Sequence, residues 1–215
     1  AAHTPHMDRI ARDGRCGLLH TISDTTLPPG SETANLSVLG YDPHKVLQGR
    51  GVLEAAAMGV DIAPDQIGMR CNLICIEHGR IKNHSAGHIS TGEADELIQS
   101  LDHAFGSADL KFHTGVSYRH LIVARGMSPE LDCQQPHDHP GQEVAGLMIK
   151  PLRNAADPAT AQQAADQLNA LIKHSWHLLE THPVNRSRIA RGLDPANSIW
   201  PWSPGHRPAM WTFKD

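Results

Sequence analysis

The stretch Met69-Arg70-Cys71-Asn72-Leu73-Ile74-Cys75-Ile76-Glu77-His78-Gly79-Arg80 decides the fold. Its first eight residues read as a strand, with Arg70 and Asn72 on one face and Cys71 and Leu73 on the other. Glu77 to Arg80 reads as a hairpin turn, and a return strand continues to about Ser85. Downstream, Ser90-Thr91-Gly92-Glu93 is a capping box. Ala94, Leu97, Ile98, Leu101 and Phe105 then form a helical stripe that Gly106 closes. Leu110 to His113 and Tyr118 to Ala124 predict a second hairpin through Gly115. Residues 126–145 read as a loop. Asp157-Pro158 opens the longest helix, which runs to about Thr181 with Ala161, Ala165, Leu168, Ile172 and Leu179 on its core face, and His182-Pro183 ends it. The tail beyond, with its tryptophans and prolines, reads as irregular.

Upstream of the deciding stretch, Thr4-Pro5 opens a short helix that Gly14 stops, and residues 15–21 predict a strand. Another short helix follows Ser31, and a further one covers roughly 52–58 and ends at Gly59. Strands and helices joined by hairpin-length connections predict an α+β fold with a mostly antiparallel sheet, not a doubly wound parallel one.

Bulk properties narrow the function classes. A chain of 215 residues can bury a sizeable core as one large domain or two small ones, and 40% hydrophobic with 20% charged residues is a globular composition. The formal net charge is −4 with charges interspersed, so no basic stripe points to nucleic acid. No apolar run is long enough to span a membrane and no signal peptide opens the chain, which argues against a membrane partner. The four cysteines include no Cys-x-x-Cys pair, which favours reduced thiols in a cytoplasmic protein over a zinc site. The chain starts Ala1-Ala2-His3 and ends Phe213-Lys214-Asp215, which reads as an internal fragment of a longer polypeptide.

Four groups of residues carry possible chemistry. In Pro28-Pro29-Gly30-Ser31-Glu32-Thr33-Ala34-Asn35, Ser31 stands where a helix begins. It is either a capping serine, the commoner use, or an exposed nucleophile beside a phosphate-binding helix end. His137-Asp138-His139 can bind a metal or work as acid and base, or be a polar surface loop. Arg70 with Asn72, and Arg119 beside Tyr118 and His120, place forked donors on sheet faces, where they can grip a phosphate or carboxylate or be simply solvated. Gly49-Arg50-Gly51 is a weak signal that completes no phosphate-loop signature.

Taken together these segments resemble the archaeal-type, cofactor-independent phosphoglycerate mutases of the alkaline phosphatase superfamily. The matching stretches include Pro29 to Pro43, Gly49 to Ala55, Arg70 to Leu73, Ser85-Ala86-Gly87, Gly115 to His120, Pro136-His137-Asp138 and Pro195-Ala196-Asn197-Ser198-Ile199-Trp200-Pro201-Trp202, in the family's order. The resemblance implies an inserted transferase-like domain flanked by pieces of an alkaline-phosphatase-like α/β domain. Residues 1–60 would be the partial phosphatase-like segment, 61–182 the inserted α+β domain and 183–215 the return crossover. It implies that 3-phosphoglycerate and 2-phosphoglycerate interconvert through phosphoserine at Ser31, with His137 and Asp138 handling the glycerate hydroxyls. It further implies substrate binding by Arg70, Asn72, Arg119 and Asn197.

Two divalent ions, typically manganese, are implied in the full-length parent, with Ser31 as one ligand. The remaining ligands are expected before Ala1 and after Asp215, so the isolated chain is expected to bind no metal and to be inactive. The implied partner is a small phosphorylated substrate. Trp202-Ser203-Pro204-Gly205 departs from the family's Trp-Gly-x-Gly. Two alternatives stay open: another phosphotransferase on the same scaffold, such as a homoserine kinase, and a non-catalytic ligand-binding domain.

Overall fold

The computed structural model describes residues 2–15, 17–22 and 30–210. The chain forms two compact units, one up to Leu47 and one from Gln48 onward. In the smaller unit, α1 spans Pro5–Asp13 with Pro5 in its first turn, and the Thr4 hydroxyl donates to Asp8 Oδ1 at 3.0 Å. Helix α2, Ser31–Val38, buries Thr33 and Leu36. Helix α3, Pro43–Val46, is capped by Asp42, whose carboxylate accepts from the His44 N–H at 3.1 Å. Pro28 and Pro29 lie outside the described residues. The strand predicted over 15–21 is not formed at 17–22, and Leu18 and Leu19 are exposed. An apolar run becomes a strand only where a second edge accepts its hydrogen bonds, and no strand is formed among the described residues of this unit.

The larger unit opens with α4, Arg50–Met58, and then β1, Gln66–Glu77, and β2, Arg80–Asn83, which are the strand and return strand of the deciding stretch. Next come α5 (Thr91–Phe105), β3 (Leu110–Val116) and β4 (Arg119–Arg125). The stretch 126–145, read as a loop, holds the short strand β5 (Leu131–Asp132), a 3-10 turn at Pro136–Asp138 and the start of α6 (Val144–Leu147). Strand β6 (Lys150–Pro151) pairs with β5. The chain continues through α7 (Pro158–Glu180), α8 (Pro183–Ala190) and β7 (Ser198–Gly205).

Strand β1 organises the sheet, pairing antiparallel with β2, β4 and β7, while β3 pairs with β4. Alternation along β1 and β4 sends two sets of side chains to opposite faces. Met69, Cys71, Leu73, Ile122 and Ala124 join the main core with residues of α5 and α7. Leu121 and Val123 pack on the other face against Val52 and Ala55 of α4. Arg70 and Asn72 share that second face, because Arg70 is opposite Leu121 and Asn72 opposite Arg119 in the register.

Close backbone approach explains two glycines ahead of this face. Gly49 has φ +128°, and a Cβ there would run into the Pro204 carbonyl. A Cβ on Gly51 would run into the Gly68 carbonyl, so α4 lies directly on β1. The capping box forms as expected: Ser90 Oγ accepts from the Glu93 N–H at 3.3 Å, and Glu93 also pairs with the buried Arg188 of α8 at 2.6 Å. Beyond the short elements α3, β5, α6 and β6, two longer ones were not expected. The longest helix ends just before His182-Pro183 as read, but His182 also caps a further helix, α8, its Nδ1 accepting from the Val184 N–H at 3.3 Å. Strand β7 forms despite Pro201 and Pro204 because it pairs with β1 alone, leaving an edge where a missing N–H costs no ladder bond.

Candidate anion-binding site

Ser31 is the first helical residue of α2 and is exposed. Gly30 stands at the cap position with extended backbone, so the capping role does not fall to Ser31. The following helix is two turns long and its first-turn amides point outward from its N-terminal end, the general arrangement that suits an anion.

The other candidates lie in the larger unit, several of them gathered on the α4 side of the sheet. Arg70 is largely enclosed, with 13% of its side chain exposed, and its Nε lies 3.2 Å from Glu54 Oε2. That contact lacks hydrogen-bond alignment, so the buried Nε has a charge partner but no acceptor. Burial pushes the Arg70 pKa down; Glu54 opposes this, and repulsion from Arg119 and Arg50 adds to it. The guanidinium nevertheless stays charged at any ordinary pH. Arg70 thus lies within electrostatic reach of two further guanidiniums as well as the Glu54 carboxylate, and an arrangement of clustered guanidiniums suits an anion.

Aromatic rings form the rest of the wall. The Cζ atoms of Arg70 and Arg50 lie 5.0 Å and 5.5 Å from the centroid of Trp202. Arg119 lies over Tyr118 at 5.9 Å. His137 meets Trp202 edge-on at 5.7 Å and His84 at 6.1 Å, while His84 and His88 both approach Tyr118. Burial lowers the His84 pKa, reinforced by His137 and His88, which favours a neutral ring there. Asp138 is exposed beside His137, with Oδ1 3.8 Å from His137 Nε2.

Two predicted substrate contacts have partners within the protein. Asn72 Oδ1 accepts from Trp202 Nε1 at 3.0 Å, and its amide nitrogen donates to the His84 carbonyl at 3.4 Å. Asn197 clamps the backbone of Ile76, accepting from its N–H and donating to its carbonyl, each at 2.7 Å. The structure therefore brings together Arg70, Arg119, His137 and Asn72 and places Asn197 in the sheet framework. It adds Arg50, Glu54, His84 and Trp202, none of them named as a site residue from the sequence, although Arg50, Glu54 and Trp202 lie in stretches that match the family. Among the local signals was Gly49-Arg50-Gly51, whose glycines bring the start of α4 against β1 and β7.

Among the described residues no three His, Cys, Asp or Glu side chains converge to hold a metal ion. The described residues thus do not by themselves supply the donor set of the two-ion site that the resemblance implies. Among the described residues no helix is long and apolar enough to cross a membrane.

Fold and site define a class: an α+β domain whose sheet face gathers arginines, histidines and aromatic rings, an arrangement that suits an anion. Comparison with known proteins places the chain in a family. The family model for 2,3-bisphosphoglycerate-independent phosphoglycerate mutase matches residues 11–185. The enzyme of that description from Methanosarcina barkeri is 46% identical over 100% of this chain and 51% of its own length. That of Methanothermobacter thermautotrophicus, numbered 2, is 40% identical over 100% of this chain and 50% of its own. A solved structure of the cofactor-independent phosphoglycerate mutase from Thermoplasma acidophilum matches 84% of this chain and 48% of its own, with a TM-score of 0.63 and 29% identity. The chain belongs to the 2,3-bisphosphoglycerate-independent phosphoglycerate mutase family. It spans about half the length of the curated relatives it matches.

Proposed function

We propose that the whole protein interconverts 3-phosphoglycerate and 2-phosphoglycerate, and that this chain supplies the phosphoryl acceptor and the arginines that bind the substrate. Residues 1–60 then belong to a phosphatase-like domain, 61–182 to the inserted transferase-like one and 183–215 to the return crossover. The observation that carries the reading is that the half-buried Arg70, beside Glu54, also feels the charges of Arg119 and Arg50 and shares the Trp202 ring with Arg50. Phosphoglycerate carries a phosphate and a carboxylate, two groups that guanidinium forks match.

In this reading the Ser31 oxygen bonds to phosphorus as the bond from phosphorus to the 3-oxygen breaks. The serine gives up its proton and the 3-oxygen gains one. The 2-hydroxyl then takes the phosphoryl group back, losing its proton and restoring the serine. Splitting the transfer into two displacements is ordinary covalent catalysis, and alignment with charge neutralisation supplies most of the acceleration. His137 and Asp138 exchange protons with the glycerate oxygens, and Arg70 and Arg119 hold the anionic groups. Asn72 and Asn197 contribute by fixing Trp202 and the β1 backbone.

The test is turnover of 3-phosphoglycerate by the full-length protein. Ser31→Ala should abolish it by about 1000-fold or more. Arg70→Gln should raise KM by roughly 10- to 100-fold, the worth of a charged hydrogen bond. Undiminished turnover by Ser31→Ala, or turnover of homoserine with ATP in its place, would overturn the assignment.

A further inference from the structure

Trp202 lies against two arginines of the cluster, and its contacts, beside the Arg70–Glu54 ion pair, contribute to how they are held. The Arg50 and Arg70 guanidiniums lie 5.5 Å and 5.0 Å from the indole centroid. Like charges so placed repel, and attraction to the ring's quadrupole offsets the repulsion. The ring itself is fixed. Trp202 is 2% exposed, and its Nε1 donates to Asn72 Oδ1 at 3.0 Å. The next residue is committed as well: Ser203 adopts φ +51°, and its Oγ accepts from the Arg50 N–H at 2.8 Å. One stretch of β7 thereby holds the Arg50 backbone and seats two guanidiniums, while the Trp202 ring edge meets His137 at 5.7 Å.

We propose that Trp202 is a positioning residue for the anionic substrate: its indole holds Arg50 and Arg70 in their binding arrangement before the ligand arrives. A ligand then meets two preset forks instead of ordering two long side chains, which improves affinity without altering the chemical step. The inference rests on the cluster being the substrate site.

The test compares Trp202→Phe and Trp202→Leu in the full-length protein. Phenylalanine keeps a π face but loses the Nε1 donor, and leucine loses both. KM for 3-phosphoglycerate should rise about 3- to 10-fold with phenylalanine and about 30-fold or more with leucine, with kcat within about threefold of wild type. A purely structural tryptophan would lower the folded fraction, so kcat would fall with KM unchanged. That result, or equal rises in KM for both variants, would overturn the proposal. If the leucine variant does not fold, an unchanged KM in the phenylalanine variant overturns it and a raised one supports it. If the wild-type protein does not turn over 3-phosphoglycerate, calorimetric binding of inorganic phosphate decides: weaker binding by the variants supports the proposal. Equal binding, or none by wild type, overturns it.

Discussion

His120 sits wholly inside the larger unit on β4, one residue from the exposed Arg119. Its Nδ1 accepts from the Gly115 N–H at 3.2 Å, which places the ring proton on Nε2, a buried atom with no hydrogen-bond partner. Burial pushes its pKa down to about 4. The unfolded chain takes up this proton near the ordinary histidine value of about 6.5, while the folded one refuses it until about pH 4. The unfolded state therefore binds more protons between those values, and stability falls as pH drops through the window. The full loss amounts to about 3 kcal/mol. Urea unfolding at pH 7 and pH 4.5 should show this slope in wild type and a shallower one in His120→Gln. Equal slopes would mean that another group is responsible.

Helix α4 shows what a two-glycine signature can and cannot reveal. Sequence alone offered Gly49-Arg50-Gly51 as a turn with no complete motif, because the backbone that excludes a side chain at Gly51 comes from Gly68, distant in the chain. Gly51→Ala gains helix propensity of about 1 kcal/mol but forces α4 off β1. The net destabilisation should be about 2 kcal/mol or more, seen as a lower denaturation midpoint at unchanged slope. A neutral or stabilised variant would mean that the helix can slide without cost.

The same contrast runs through the fold. The hairpins, the Ser90–Glu93 capping box and the Asp157-Pro158 helix start were legible because their signals are local. Strand β7 was not, since two prolines argue against a strand unless it lies at an edge, and edge position is set by the partner. Of the site, Arg70 and Arg119 were legible as forked donors on sheet faces. Trp202 was legible as part of a family stretch but not as a neighbour of the arginines, and His84 not at all, because only the pairing of β7 with β1 and the return of the chain through β2 bring them there.

For the protein as a whole, the proposed function joins family membership to the arginine cluster. The candidate nucleophile lies in the smaller unit and the candidate binding residues in the larger, and the chain covers about half of its relatives' length. Activity is accordingly a property to be measured on the full-length protein. In the proposed reaction the cluster binds the anionic substrate and Ser31 takes the phosphoryl group. The account depends most on their serving one reaction. The most direct measurement is peptide mass spectrometry of the full-length protein, acid-quenched during turnover of 3-phosphoglycerate. The account predicts phosphate on Ser31, and none at this position in Ser31→Ala, which is also inactive. Turnover with no phosphate on Ser31, and with Ser31→Ala still active, would contradict it.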